Sequence, residues 1–242
     1  MNLVIDIGNT QVKTAVFNDN LLLEKEIFIK NKLYISLKII SEKFKIKQAI
    51  LSSVDKIGVL EVQKIKKLFS LIVLNSKTKL PFNNKYKTPQ TLGVDRIALI
   101  AAAVSQYPNN NTLVFDAGSC ITYDFVNEKN DYFGGAISPG ITMRYKSLNY
   151  YTANLPKLNV IDKIPEKGNS TENAIHLGVM KGVIYEIEGI INQYRAKNQK
   201  LTVILTGGDT IFLARNIKST IFANPNFLLE GLNSILIYNI DE

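Results

Sequence analysis

Two short segments, Asp6 to Lys13 (DIGNTQVK) and Asp116 to Thr122 (DAGSCIT), carry the same chemistry half a chain apart. Each begins where an apolar run ends, Leu3-Val4-Ile5 in one and Leu113-Val114-Phe115 in the other, and each leads into a second apolar run. The pattern predicts a strand, a tight turn and a returning strand, with a carboxylate at the end of the first strand. Glycine in such a turn lets the backbone approach an anion, and the turn's N–H groups can hold phosphate oxygens. Asp6 can hold Mg²⁺, directly or through water, because hard cations take carboxylate oxygen. Gly8, Asn9 and Thr10 offer backbone and side-chain donors, and Lys13 can neutralise charge on a transferring group. A third turn, Thr206-Gly207-Gly208-Asp209, suits close passage beside an adenosine. One copy alone reads equally well as a hairpin with an Asx turn and a surface lysine. Two copies point to phosphoryl transfer by a duplicated domain whose phosphate loops face each other across a cleft.

Gly93-Val94-Asp95-Arg96 closes a polar stretch and opens an apolar one. A kinase acting on a hydroxyl needs a carboxylate to accept the proton. An arginine fork would bind a carboxylate on the substrate. Asp95 and Arg96 therefore suit an acidic substrate with a primary alcohol, although the tetrapeptide alone reads more simply as a helix N-terminal Asp beside an exposed Arg. Gly134 to Gly140 (GGAISPG) leads from a strand into a helix, either to admit substrate or the facing domain, or as a tight connection.

The elements that must position these residues repeat in order. Strands are predicted at 3–5, 12–17 and 21–29, then helix 33–44, strand 49–52, helix 59–69, strand 71–74, a polar loop 76–92 and helix 94–106. The second half gives strands at 113–115, 121–126 and 132–137, a helix opened by Pro139 and running to about 148, and a loop at 149–169. A long helix to about 194 is capped by Ser170 or Thr171; strand 201–205 and a closing helix 227–238 complete the chain. Such alternation predicts an α/β fold of two domains, 1–110 and 111–242, each a mixed sheet flanked by helices.

A composition of 46% hydrophobic and 21% charged residues is that of an ordinary globular chain. The net charge of +8 invites a nucleic-acid partner, but only four of the 29 basic residues are Arg and the lysines are scattered, so that reading is set aside. Cys120 is the sole cysteine, which precludes an intrachain disulfide and suggests a reducing compartment; it is expected to be small and buried. With no signal peptide and no run of roughly 20 apolar residues, a cytoplasmic location is expected and a membrane partner is not. His176, the only histidine, is expected to pack in a helix or interface, and Gly178 and Gly182 to mark close helix packing, within the chain or across a dimer. Tyr150-Tyr151 is expected to pack within its loop.

The ordered set DIGNTxxK, Tyr86 seven residues before GVDR, DAGSCIT, GGAISPG, GNSTENA and TGGD resembles type III pantothenate kinase over nearly the whole chain. The resemblance implies an actin-like (ribonuclease H-like) or sugar-kinase-like fold with the active site in the cleft between its domains. It implies ATP-dependent phosphorylation of the primary hydroxyl of pantothenate to 4′-phosphopantothenate, the first step of coenzyme A biosynthesis, by a homodimer using Mg²⁺ with ATP and a monovalent cation, K⁺ or NH₄⁺. Carried over by position, Asp95 is the general base. Tyr86, Gly93, Val94 and Arg96 line the pantothenate pocket, which Thr171 reaches from the second subunit. Asp6, Ile7, Gly8, Asn9, Thr10, Gln11, Val12, Lys13 and Ser119 contact ATP, and Asp116 holds the monovalent cation. The family usually has Thr-Ala where this chain has Ser119-Cys120. Some early members were described as transcription accessory factors, so a regulatory relative is the alternative; the retention of Asp6, Lys13, Asp95, Arg96 and Asp116 argues for the kinase.

Overall fold

The computed structural model describes residues 1–8, 11–53 and 57–240. In chain order the strands and α-helices are β1 Asn2–Ile7, β2 Val12–Asn18, β3 Leu21–Phe28, α1 Leu33–Lys43, β4 Gln48–Ser53, α2 Val59–Lys66, β5 Leu71–Val73, β6 Asn83–Asn84 and α3 Val94–Gln106. They continue as β7 Asn111–Ala117, β8 Cys120–Val126, β9 Asp131–Pro139, α4 Ile141–Tyr150, α5 Thr171–Lys197, β10 Leu201–Thr206, α6 Thr210–Asn216, β11 Phe222–Ala223 and α7 Phe227–Ile240. Two compact units result. One comprises Met1–Pro108, Asn130–Phe133 and Asn226–Glu242, and the other Asn109–Lys129 and Gly134–Pro225. The expected domains, 1–110 and 111–242, run the second one unbroken to the C-terminus, whereas the contacts group α7 with the first unit.

The first unit holds a five-stranded sheet in the order β3-β2-β1-β4-β5. β1 runs antiparallel to β2 and parallel to β4, and β4 runs parallel to β5. Alternation along β1 sends Leu3, Ile5 and Ile7 to one face, where they meet Leu37 and Ile40 of α1 and Ile65 of α2. The opposite face carries Val4 and Asp6 and is packed by α7, with α3 against α7. Gly231 allows this helix pair to touch: a Cβ there would lie 1.9 Å from the Ala98 carbonyl oxygen. α7 is tied down by a polar chain in which Asn2 Nδ2 donates to Asn233 Oδ1 (3.1 Å) and Asn233 Nδ2 donates to the Asp19 carbonyl (2.8 Å). Asp19 itself sits in the β2–β3 hairpin turn at φ 51°, a conformation Asp tolerates.

The second unit repeats the plan, in the order β11-β10-β7-β8-β9. β7 is antiparallel to β8 and parallel to β10, which is parallel to β11. Strand for strand this matches the first sheet, with α6 following β10 as α2 follows β4. Its core joins Leu113, Phe115 and Val203 to Met180, Val183, Ile187 and Ile191 of α5. β9 begins within the first unit, where Asp131 and Tyr132 pair with Asn83 and Asn84 of β6.

Several local expectations change. Pro139 ends β9 and Gly140 is the N-cap of α4, so the helix starts later than the proline suggested. Ser170, not Thr171, caps α5, its hydroxyl accepting from the Asn173 N–H at 3.2 Å. The loop at 76–92 contains β6 and a 3₁₀ turn at Pro89–Thr91. α6, seven residues long, and β11, two residues long, were too short to show a period. Cys120 is exposed at the start of β8, and Tyr150 and Tyr151 are each 80% exposed rather than packed in a loop. No helix among the described residues is long and apolar enough to cross a membrane.

The glycine contacts make opposite predictions for one kind of substitution. Gly231→Ala forces α3 and α7 apart and is expected to lower the unfolding midpoint, at a cost of about 1–3 kcal/mol. Gly189→Ala, on α5 with open space around it, is expected to stabilise by up to about 1 kcal/mol through helix propensity. Denaturant unfolding followed by circular dichroism checks both.

Candidate active site

In the first unit a candidate site is built at the ends of β1, β2 and β4. Parallel strands present ligand sites beyond their carboxyl ends, and Asp6 lies one residue from the end of β1. The registers place Ser52 and Lys13 directly opposite it, giving a row Ser52–Asp6–Lys13 on one sheet face. Ser52 is fully buried, and its hydroxyl lies beside the carboxylate without a well-formed hydrogen bond. The β1–β2 turn is closed by the Gly8 N–H donating to the Gln11 carbonyl at 3.0 Å. Asn9 and Thr10, both expected ATP contacts, lie outside the described residues. Ile7 and Val12 flank the turn as an opposed, buried pair, so they support its backbone from the core side.

Burial pushes the Asp6 carboxyl up to about 6; the nearby Lys13 charge lowers it, and the Asp95 charge raises it further. The structure thus brings Asp6, Lys13 and Asp95 into one electrostatic neighbourhood. Asp95 occupies the first turn of α3, behind the N-cap Gly93. Its Oδ1 accepts from the Arg96 N–H at 2.9 Å and sits where a Cβ on Gly93 would be, 2.3 Å away. A side chain on Gly93 would displace this carboxylate, whose Oδ1 the Arg96 N–H holds in one orientation.

Arg96 was expected to be exposed if the tetrapeptide were only a helix start; it is 5% exposed. Its guanidinium lies 5.5 Å from the Tyr86 ring centroid, within cation–π range. Tyr86 in turn stacks on the buried Tyr132, with centroids 6.3 Å apart at 12°, and Phe82 meets Tyr132 edge-on at 5.8 Å. The loop at 76–92 thus delivers Tyr86 to Arg96. Phe82 and Tyr132 escaped the sequence reading, because nothing local marks a residue that supports another ring from a distant strand.

The second unit has a cluster of its own, built the same way. Asp116, at the end of β7, lies opposite Thr122 of β8 and Thr206 of β10. This row, Thr206–Asp116–Thr122, is the counterpart of Ser52–Asp6–Lys13, with a hydroxyl where the first has a lysine. Thr122 Oγ1 is buried without a hydrogen-bond partner, so an oxygen donor is held beside the carboxylate. Two glycines press on the turn that follows. A Cβ on Gly140 would lie 2.1 Å from the Gly118 carbonyl, and one on Gly207, at φ +98°, would lie 2.4 Å from Asp116 Oδ1. The Gly140 N–H donates to the Ser119 carbonyl (3.2 Å) and the Asp209 N–H to the Ala117 carbonyl (2.9 Å). GGAISPG and TGGD are therefore the clamps of the DAGSC turn, and Ser119 is left exposed at its tip.

Thr171, first residue of α5, is exposed and takes no part in the cap. His176, five residues on, is buried, with Nδ1 2.7 Å from the Tyr145 hydroxyl, whose pKa burial lifts to about 12. It packs α4 against α5 and is a structural residue, as expected. Among the described residues no group of three His, Cys, Asp or Glu could hold a metal, so a divalent ion here would lean on substrate phosphates as Mg²⁺ usually does.

A desolvated carboxylate has a stability cost with a definite sign. Because the Asp6 pKa is raised above its ordinary 3.8, the native state binds the extra proton, and stability falls as pH rises from about 4 to about 6. Asp6→Asn is expected to gain about 1–3 kcal/mol at pH 8 and little at pH 4. Denaturant midpoints at both pH values check it; an equal gain at both would mean that the charge is not the cause.

The Type III pantothenate kinase family model matches residues 2–193. The protein named type III pantothenate kinase in Christiangramia forsetii is 50% identical over 240 residues, 99% of each chain. Its namesake in Flavobacterium johnsoniae is 46% identical over 242 residues, covering 100% of this chain and 99% of the other. Among solved structures, a Campylobacter jejuni protein assigned to the Baf transcriptional-activator family superposes with a TM-score of 0.66 at 24% identity, covering 99% of this chain and 100% of that one. A glucokinase from an Antarctic psychrotroph gives 0.53 at 14% identity, covering 98% of each. These structural likenesses bear on the fold, which is the two-domain α/β fold of actin-like sugar kinases. With a full-length match at half identity and the motif residues in place, the chain belongs to the type III pantothenate kinase family.

Proposed function

We propose that this protein transfers the γ-phosphoryl group of ATP to the primary hydroxyl of pantothenate, forming 4′-phosphopantothenate for coenzyme A synthesis. The observation that carries the reading is the grouping of Asp6, Lys13 and Asp95 on one electrostatic patch, with Arg96 buried beside Tyr86 one residue further along α3. Family membership supports the same substrate.

In this reading Asp95 is the base. It takes the proton of the substrate hydroxyl as that oxygen bonds to the γ-phosphorus, and the bond to the departing ADP breaks. Its hydrogen bond from the Arg96 N–H fixes Oδ1 and leaves Oδ2 for the proton. Arg96 binds the substrate carboxylate, with Tyr86, Gly93 and Val94 forming the pocket around it. Lys13 offsets the charge that spreads over the transferring group, and Asp6, Ile7, Gly8, Asn9, Thr10, Gln11, Val12 and Ser119 hold the nucleotide. Positioning and charge stabilisation carry most of the catalysis in such a transfer.

Two ions fit the residues present. The buried, electrostatically strained carboxylate of Asp6 suits Mg²⁺, through water, and Asp116 with the unpartnered Thr122 hydroxyl suits a monovalent cation such as K⁺ or NH₄⁺. When bound they would neutralise phosphate charge. A homodimer is part of the proposal, with Thr171 reaching the substrate pocket of a second copy. In support, the second unit exposes Ile137, Met143 and Tyr185, and Gly178 on α5 faces open space.

Incubating the protein with Mg-ATP and pantothenate, with and without K⁺, is expected to yield phosphopantothenate only with the cation; no product from folded protein overturns the substrate. Asp95→Asn is expected to cut turnover by about 10²- to 10⁴-fold while leaving ATP binding intact. Heterodimers of an Asp95→Asn and a Thr171→Val subunit are expected to recover activity, because one of their two sites then has both residues intact. Absence of recovery in verified heterodimers would place each site within one chain.

A further inference from the structure

The register of the first sheet sets a second lysine beside Lys13. Across β1, β2 and β3, Asp6 is opposite Lys13, Lys13 is opposite Ile27, and Ala15 is opposite Lys25. Residues opposed in a sheet share a face, and 25 and 27 share a face by alternation, so Asp6, Lys13 and Lys25 lie on the same side of the sheet. The pairing is regular over this stretch, its one shift coming later, between Val16 and Phe17. Lys13 and Lys25 are diagonal neighbours, a relation that long side chains bridge easily.

The surroundings of Lys25 are those of a cation awaiting an anion. Its Nζ donates to Asn226 Oδ1 at 2.8 Å, a neutral amide. The acids on either side of it belong to the other face: Glu24 is paired there with Lys43 of α1, and Glu26 is opposite Thr14. Ile27, on the Lys25 face, is 50% exposed and gives the ammonium an apolar flank. Burial first, and then the Lys13 charge, push the Lys25 pKa down. Asn226 in turn opens α7, its carbonyl accepting from the Glu230 N–H at 3.0 Å. The first N–H groups of that helix add partial positive charge near the lysine.

We infer that Lys25 is a second cation of the phosphate site, contacting the oxyanions of the nucleotide's phosphate chain together with Lys13. The inference rests on the phosphotransfer reading and deepens it. A salt bridge that only tied β3 to α7 would use a carboxylate; an amide partner holds the ammonium in place and, among the described residues, leaves its charge uncompensated. An incoming phosphate chain meets two ammonium groups and relieves their mutual repulsion, so binding gains at the spot where the two charges lie together. Lys25 supplies charge to ground-state phosphate, so its loss falls on nucleotide affinity before it falls on turnover.

Titration calorimetry of the full chain with Mg-ATP and with inorganic tripolyphosphate tests this on the wild type, Lys25→Met, Lys25→Arg and Asn226→Ala. Lys25→Met is expected to weaken both ligands about tenfold or more, the scale of a lost charge-assisted contact, and to raise KM for ATP while KM for pantothenate holds. Lys25→Arg is expected to restore most of the affinity, and Asn226→Ala to stay within about twofold of wild type because the charge survives. Circular dichroism establishes that each variant is folded. Unchanged tripolyphosphate affinity in folded Lys25→Met, or an equal loss in Asn226→Ala, overturns the inference and reduces Lys25 to a tie between β3 and α7. Absence of tripolyphosphate binding by the wild type overturns it as well. If the affinities follow expectation while no phosphopantothenate forms, Lys25 keeps its role and the substrate reading alone fails.

Discussion

A carboxylate held at the end of a buried central strand is the constraint on which the rest of this structure depends. Asp6 and Asp116 each sit where a strand paired on both sides runs out, in rows closed by Ser52 and Lys13 in one unit and by Thr206 and Thr122 in the other. Withdrawing a carboxylate from water is costly, and for Asp6 the cost is visible as a pKa lifted to about 6. The same desolvation strengthens a carboxylate's attraction for any cation that reaches it, and the fold gives up stability to keep the charge at this strand end.

Glycines transmit this constraint outward. In the second unit Gly140 and Gly207 let two separate segments lie directly on the DAGSC turn, closer than any side chain would allow. In the first unit Gly93 lets the Asp95 carboxylate fold back over its own N-cap, and Gly231 lets α7 rest on α3, the helix that carries Asp95 and Arg96. At Gly140, Gly207 and Gly231 a backbone oxygen lies within about 2.3 Å of where a Cβ would stand, a contact no rotamer change relieves, whereas at Gly93 the neighbour is the Asp95 carboxylate, which a rotamer change would move. The first three glycines are therefore packing requirements of the fold.

Aromatic support supplies the other half of the argument. Arg96 is buried, yet its guanidinium has a π-face beneath it, and that face is held by Tyr132 and Phe82 from distant parts of the chain. His176 and Tyr145 do comparable work in the second unit as a packed, hydrogen-bonded pair joining α4 to α5.

The sequence by itself determined the repeated Asp-x-Gly strands, the alternation of helix and strand, and the pairing of Asp95 with Arg96 on α3, because each is written in local spacing of residue types. It also carried the family, through motifs whose order is far more specific than any one of them. Short elements such as α6 and β11 were lost because seven or two residues show no period. Only the tertiary structure decided that α7 joins the first unit, that Cys120 is exposed, and that Tyr132 supports Tyr86. The same is true of Lys25 sharing a face with Lys13 and Asp6, since that rests on strand register. Register and helix docking are fixed by which faces find partners far along the chain, and no local window of sequence contains those partners.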